Sequence, residues 1–197
     1  MALKRLNLTY ALKDGEITHI SKVKRGLECG CTCPACGERL IAKKGQKVMH
    51  HFAHQATKEC EYGYESSLHL AAKEILSQTK KMVIPPVYVH FPKSYKGKLL
   101  LSGAKEITID RVELEQRFNN IVPDVVVYTG AKRLFIEVFV THCVDEEKLD
   151  KLRATEISTI EIDLSKIDHS ITKEELTAIL TEDSELKYWK YNSHENK

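Results

Sequence analysis

Apolar and polar residues alternate at short period along much of this chain, and in three places the spacing turns helical. Leu6, Leu8 and Tyr10, then Ile17 and Ile20, predict two short strands about an Asp14-Gly15 turn. Leu68, Ala71, Ala72, Ile75 and Leu76 predict a helix from Ser66 to about Leu76, with Ser66 or Ser67 as its cap. Residues 83–91 read as a strand bent or confined to an edge by Pro85 and Pro86, and the Lys-, Gly- and Ser-rich stretch 92–105 reads as an exposed loop. Strands are expected at about 107–115, 123–128 and 133–140, followed by a helix from about Asp145 to Arg153 and a strand at 157–162. A last helix runs from Lys173 to Leu180, with Thr172 and Glu175 forming a capping box. Three strands, a helix and a further strand imply an α/β sheet in which a helix crosses between two parallel strands.

With 197 residues the chain is long enough for two small domains, and 42% hydrophobic with 29% charged residues is a globular composition. No apolar run approaches the ~18 residues of a membrane helix, and the N-terminus lacks the apolar block of a signal peptide. A cytoplasmic protein with no membrane partner is the expectation. The net charge of +2 conceals an asymmetry: residues 1–105 carry 18 Lys/Arg against 8 Asp/Glu, and residues 106–197 carry 12 against 20. A basic front and an acidic back suit a protein that holds a polyanion with one part and a metal cation with the other.

Five of the six cysteines (Cys29, Cys31, Cys33, Cys36 and Cys60) lie within 32 residues, which favours metal binding over a spread disulfide framework. Cys33-Pro-Ala-Cys36-Gly37 is a zinc knuckle: two thiolates at this spacing reach one ion from a tight turn, and Gly37 permits the reversal. Two more ligands are required. His54 and Cys60 are the natural pair, with His51 the substitute, while Cys29 and Cys31 are spare donors at the wrong separation for a second knuckle. Four protein ligands leave no open position for water, so this zinc is expected to be structural.

The segment from Pro123 to Val138 presents two apolar strands about a four-residue turn, Thr129-Gly130-Ala131-Lys132, and each strand is interrupted by one carboxylate. If Tyr128 pairs with Arg133, Asp124 stands opposite Glu137, with Cβ atoms about 4.5–5.5 Å apart. Two facing acids on buried strands repel and are costly to desolvate, and a divalent cation removes both difficulties. Oxygen donors with room for water suit magnesium or manganese.

Pro123-Asp124, a hairpin and Ile136-Glu137-Val138 together resemble the PD-(D/E)XK nuclease superfamily. The upstream pieces C-P-A-C-G, K-K-G, H-H-F-A-H and E-S-S-L-H-L-A-A-K resemble, more specifically, the competence protein CoiA-like family. The resemblance implies a zinc-binding β-rich module at 1–62 and a restriction-endonuclease-like mixed sheet flanked by helices at 63–197. It implies magnesium-dependent hydrolysis of phosphodiester bonds in nucleic acid, DNA being expected, with Asp124 and Glu137 as metal-binding acids and Glu65 completing the shell. Glu65, His69 and Lys73 share one helical stripe.

The sequence departs from the superfamily at Phe139, where a lysine would polarise the attacking water. Lys73 and Lys148 rank equally as replacements, ahead of His142, although Lys148 sits in a first helical turn where the dipole disfavours a cation. Lys43, Lys44, Lys47, Lys93, Lys96 and Lys98 are the candidate phosphate contacts. The competing function is a non-catalytic DNA-binding or processing factor that keeps the fold without the chemistry.

Overall fold

The computed structural model describes residues 8–56, 60, 62–90, 98–141, 144–168 and 170–193. In chain order these form β1 (Tyr10–Lys13), β2 (Glu16–His19), β3 (Leu40–Lys43), β4 (His51–His54), α1 (Gly63–Gln78), β5 (Lys81–Ile84), β6 (Val87–His90), β7 (Lys98–Ser102) and β8 (Lys105–Thr108). There follow β9 (Arg111–Leu114), β10 (Val125–Thr129), β11 (Lys132–Phe139), α2 (Glu146–Arg153), β12 (Thr159–Asp163), α3 (Lys173–Thr181) and β13 (Lys187–Tyr191). This is a mixed α/β protein, and among the described residues no helix is long and apolar enough to cross a membrane. Two compact units are present: residues 1–74 with 166–176, and residues 75–165 with 177–197.

In the first unit β1 and β2 form a hairpin whose two turn residues, Asp14 and Gly15, both have positive φ (52° and 85°). That is the turn whose twist matches a two-residue hairpin, and an Asp-Gly pair tolerates it. β3 pairs with β4, and Thr32 ties to β1 through reciprocal backbone bonds with Leu12 of 3.0 and 2.8 Å. Leu8, Ala11, Ile20, Val23, Leu40, Ala42 and Phe52 form the core, together with the thiols of Cys29, Cys31 and Cys33. α1 begins at Gly63 rather than Ser66; Ser67 lies inside it and donates to the Tyr64 carbonyl at 2.9 Å, so neither serine caps it.

The second unit is built on a five-stranded sheet in the order β13-β12-β11-β10-β9. β11 and β12 are parallel and joined through α2, as the element order requires, and the other pairs are antiparallel. Val125, Val127, Leu134, Ile136, Val138, Ile160 and Ile162 are buried on one face. On the other face Val126 and Phe135 pack with Ile121 and with Leu152 of α2. A sheet covered on both faces explains why β10 and β11 read as nearly continuous apolar runs.

Three expectations need correction. The turn between β10 and β11 has two residues, since Thr129 still pairs with Lys132; Gly130 takes φ 57° there. The stretch expected at 107–115 as one strand divides at Ile109-Asp110, β8 pairing with β5 while β9 joins the large sheet. The basic loop expected at 92–105 contains β7, whose Leu99 and Leu100 pair with Val89 and Tyr88 of β6; residues 91–97, with Lys93 and Lys96, lie outside those described.

Candidate metal centre and acidic site

The knuckle closes by two backbone bonds, Gly37 N–H to the Cys33 carbonyl at 2.9 Å and Cys33 N–H to the Glu38 carbonyl at 2.8 Å. Gly37 has φ 73°, a conformation available at low cost to a residue without Cβ. Leu40 of β3 pairs with His54 of β4, which brings the imidazole to the thiols. Sγ of Cys36 and Nε2 of His54 are 3.4 Å apart, and one donor atom from each of Cys33, Cys36, His54 and Cys60 lies within 4.8 Å of every other. Tetrahedral zinc with ~2.3 Å bonds to sulfur separates its ligands by about 3.8 Å, so four converging soft donors fit that ion. Burial raises the Cys33 thiol to about 11. Burial also pushes Cys36 upward, but the Glu38 backbone N–H and the Cys33 and Cys60 thiols outweigh it and hold that group below its usual range.

His51 is three residues from His54, so it projects from the opposite face of β4; its Nδ1 lies 2.9 Å from the Met49 carbonyl. Cys29 and Cys31 are core groups outside the quartet. Cys29 donates to the Leu40 carbonyl at 3.2 Å and Cys31 to the Cys29 carbonyl at 3.4 Å, and burial pushes Cys31 up to about 12. Gly63 was not singled out from sequence. A Cβ there would stand 3.4 Å from Cys33 Sγ and 3.6 Å from His54 Cε1, in van der Waals contact with both, so the start of α1 lies against the quartet.

The acids belong to the second unit. Tyr128 pairs with Arg133 and Val125 with Ile136, so Asp124, which immediately precedes β10, comes beside Glu137 of β11. Asp124 accepts from the Val138 N–H at 2.9 Å. Glu137 is 3% exposed; Lys148 Nζ donates to its Oε2 at 2.6 Å, while its buried Oε1 has no partner. Burial raises the Glu137 carboxyl to about 8, with the facing Asp124 adding to the shift and Lys148 opposing it. Lys148 is placed by α2, where Asp145 accepts from the Lys148 N–H at 2.7 Å and so caps the helix. The unfavourable helix dipole at this lysine is offset by its contact with Glu137. Phe139, two residues beyond Glu137, lies on the same face of β11, the face on which Lys148 of α2 meets Glu137.

Glu65, His69 and Lys73 lie on α1 in the first unit, Lys73 buried and the other two half-buried. His142 and Cys143 fall outside the described residues. Among the candidate phosphate contacts, Lys43 and Lys47 are exposed, whereas Lys44 donates to the Ser21 and Val23 carbonyls at 3.2 and 2.9 Å and serves the fold. The Lys98 ammonium lies 4.2 Å from the centre of the Tyr88 ring.

Glu161 escaped the sequence reading. It pairs in register with Glu137 on the neighbouring parallel strand, is 4% exposed, and receives Lys190 Nζ at 2.7 Å. The available signal was Ile160-Glu161-Ile162, a second apolar strand broken by one acid, as in Ile136-Glu137-Val138.

Residues 13–63, which contain all four ligands of the quartet, match the family model described as competence protein CoiA, N-terminal domain. No curated protein and no solved structure gave a match. The first region is therefore similar to that domain and carries a cluster consistent with structural zinc.

Proposed function

We propose that this protein is a metal-dependent nuclease, hydrolysing phosphodiester bonds of DNA on a restriction-endonuclease-like sheet of the PD-(D/E)XK kind. The observation that carries the reading is Glu137: a carboxylate buried to 3% exposure, facing a second acid, with one oxygen held by Lys148 and the other unpartnered. Such a group is costly unless a cation completes it. Asp124 and Glu137 face each other at the edge of this buried cluster, and oxygen donors of this kind suit magnesium or manganese. The order hairpin, helix, parallel strand agrees with the resemblance seen in the sequence.

Asp124 and Glu137 would hold the ion, which supplies an activated water and offsets charge developing on the phosphate. Glu137 surrenders its proton when a cation replaces it, since burial and Asp124 together hold that proton at neutral pH. Lys148, fixed by the Asp145 cap and by Glu137, stands where a cation assists the phosphate in place of the lysine absent at Phe139. The zinc quartet would hold the first unit together, and its exposed Lys43 and Lys47 contribute phosphate contacts that read no sequence.

The test is incubation of the full chain with labelled DNA and RNA in magnesium, manganese or EDTA. Metal-dependent cleavage is expected, reduced about a hundredfold or more in Asp124→Asn with nucleic-acid binding retained. Wild-type protein that binds DNA but cleaves nothing in any metal overturns the reading in favour of a non-catalytic DNA-binding factor.

A further inference from the structure

Beside the paired acids lies a second charged pair whose partner comes from the sheet edge. Glu161 is buried although its in-register neighbour Glu137 is also an acid, and adjacent like charges weaken a sheet. Each acid has its own lysine: α2 brings Lys148 to Glu137 at 2.6 Å, and β13 brings Lys190 to Glu161 at 2.7 Å. A break in the β12–β13 register makes the second contact possible. Thr159 pairs with Tyr191 and Ile160 with Trp189, so Lys190 is the extra residue of a bulge, a device that re-aims a side chain.

Neither lysine is spent on its glutamate. Their side chains remain 34% and 27% exposed, and an ammonium has three N–H donors. Neighbouring strands lie about 4.8 Å apart, so the two lysines are tethered to in-register acids on one face of the sheet. Next to Lys190 is Tyr188, which pairs with Glu161 and so shares its face. It is 49% exposed on a strand that ends the five-stranded sheet.

We propose that Lys148 and Lys190 together seat one phosphate of a nucleic-acid strand, and that the Tyr188 ring stacks on an adjoining unpaired base. This rests on the nuclease reading for the choice of ligand and deepens it by naming the strand's contacts. Anchored cations beside an exposed ring are the composition of a single-strand platform, because every base offers a face to stack and only an unpaired base reaches the ring. The buried glutamates set the positions of both ammonium groups before the strand arrives.

Fluorescence anisotropy in EDTA separates this proposal from cleavage. The probes are a labelled single-stranded DNA, RNA of the same sequence, and the corresponding DNA duplex. Lys190→Met alone would strand Glu161 as an unpaired buried charge, so the informative variants are Lys190→Arg and the double variant Glu161→Gln with Lys190→Met. The double variant should weaken single-strand binding about tenfold and lower the salt slope by about 0.7, the share of one phosphate contact, while Lys190→Arg stays near wild type. Tyr188→Ala should cost about fivefold on single strands and nothing on the duplex, with Tyr188→Phe retaining affinity. DNA losing more affinity than RNA, or the reverse, tells which strand the seat prefers. Unchanged binding in the folded double variant and in Tyr188→Ala overturns the seat, as does an equal Tyr188→Ala loss on duplex. If these binding losses appear while the wild type cleaves nothing, the nuclease reading fails and the seat stands.

Discussion

The zinc quartet and the paired acids concentrate donor groups in opposite ways. The quartet gathers three thiols and an imidazole from a knuckle, a hairpin strand and the approach to α1. The acids lie on adjacent strands of a sheet buried on both faces, and the protein supplies a lysine to Glu137 and another to Glu161. The first arrangement would depend on an ion for its shape, because thiolates brought together repel until a cation binds them. The second is nearly balanced without one, because hydrogen-bonded strands fix its positions. An ion in the first region would build structure; an ion in the second would act on a scaffold already formed.

The largest effect that could break this contrast is loss of zinc. Elemental analysis should find about one zinc per chain. Cys33→Ser or Cys36→Ser should remove it and destabilise the first unit by well over the ~1 kcal/mol of an ordinary substitution. Hydrogen exchange resolved by region should show β3 and β4 losing protection while β10–β12 keep theirs. Equal loss across both would mean that the second unit also depends on the ion.

Next in size is Lys148→Met, expected to lower turnover about a hundredfold and, because it strips buried Glu137 of its counter-charge, to lower thermal stability as well, so turnover is read on protein shown to be folded. Lys73→Met is the control for the other displaced-lysine candidate and should turn over near the wild-type rate. The reverse result would move the phosphate cation from α2 to α1.

A smaller effect concerns pH. Glu137 ionises near 4.5 when unfolded and near 8 when folded, so the native state binds the additional proton between these values. Its contribution to stability is therefore fully present below about 4.5 and is lost as pH rises through about 8, by a few kcal/mol at most. Thermal unfolding in EDTA should show the decline in wild type and a flattened profile in Glu137→Gln. A wild-type profile that rises across this window would contradict the buried, protonated acid.

The smallest expected change is His51→Ala, which should leave zinc content and the midpoint of zinc release unaltered, whereas His54→Ala should weaken retention by tenfold or more. Similar losses in both would show that the two histidines exchange at the ion.

Much of this was legible in the residues because it is encoded locally. The Asp14-Gly15 turn and the Thr172–Glu175 capping box both emerge where short-range hydrogen bonding and backbone conformation require them. The knuckle is local too, since two cysteines three residues apart on a glycine turn reach one ion whatever surrounds them. The Asp124–Glu137 pairing followed from alternation and one assumed register pair, Tyr128 with Arg133, which the hairpin contains.

What required tertiary structure was every choice between equivalent donors. His54 rather than His51 joins the thiols because strand parity places them on opposite faces of β4 and the β3 pairing selects one face. Lys148 reaches Glu137 because the crossover after β11 returns α2 over the face that carries the acid. Glu161 becomes that acid's neighbour only when β12 aligns parallel to β11, across 24 residues of sequence. Lys190 meets Glu161 through a bulge that no spacing in the sequence announces. Residue type and local spacing determined which groups were available, whereas non-local pairing and packing decided which of them meet, because a side chain's partners depend on backbone brought from elsewhere in the chain.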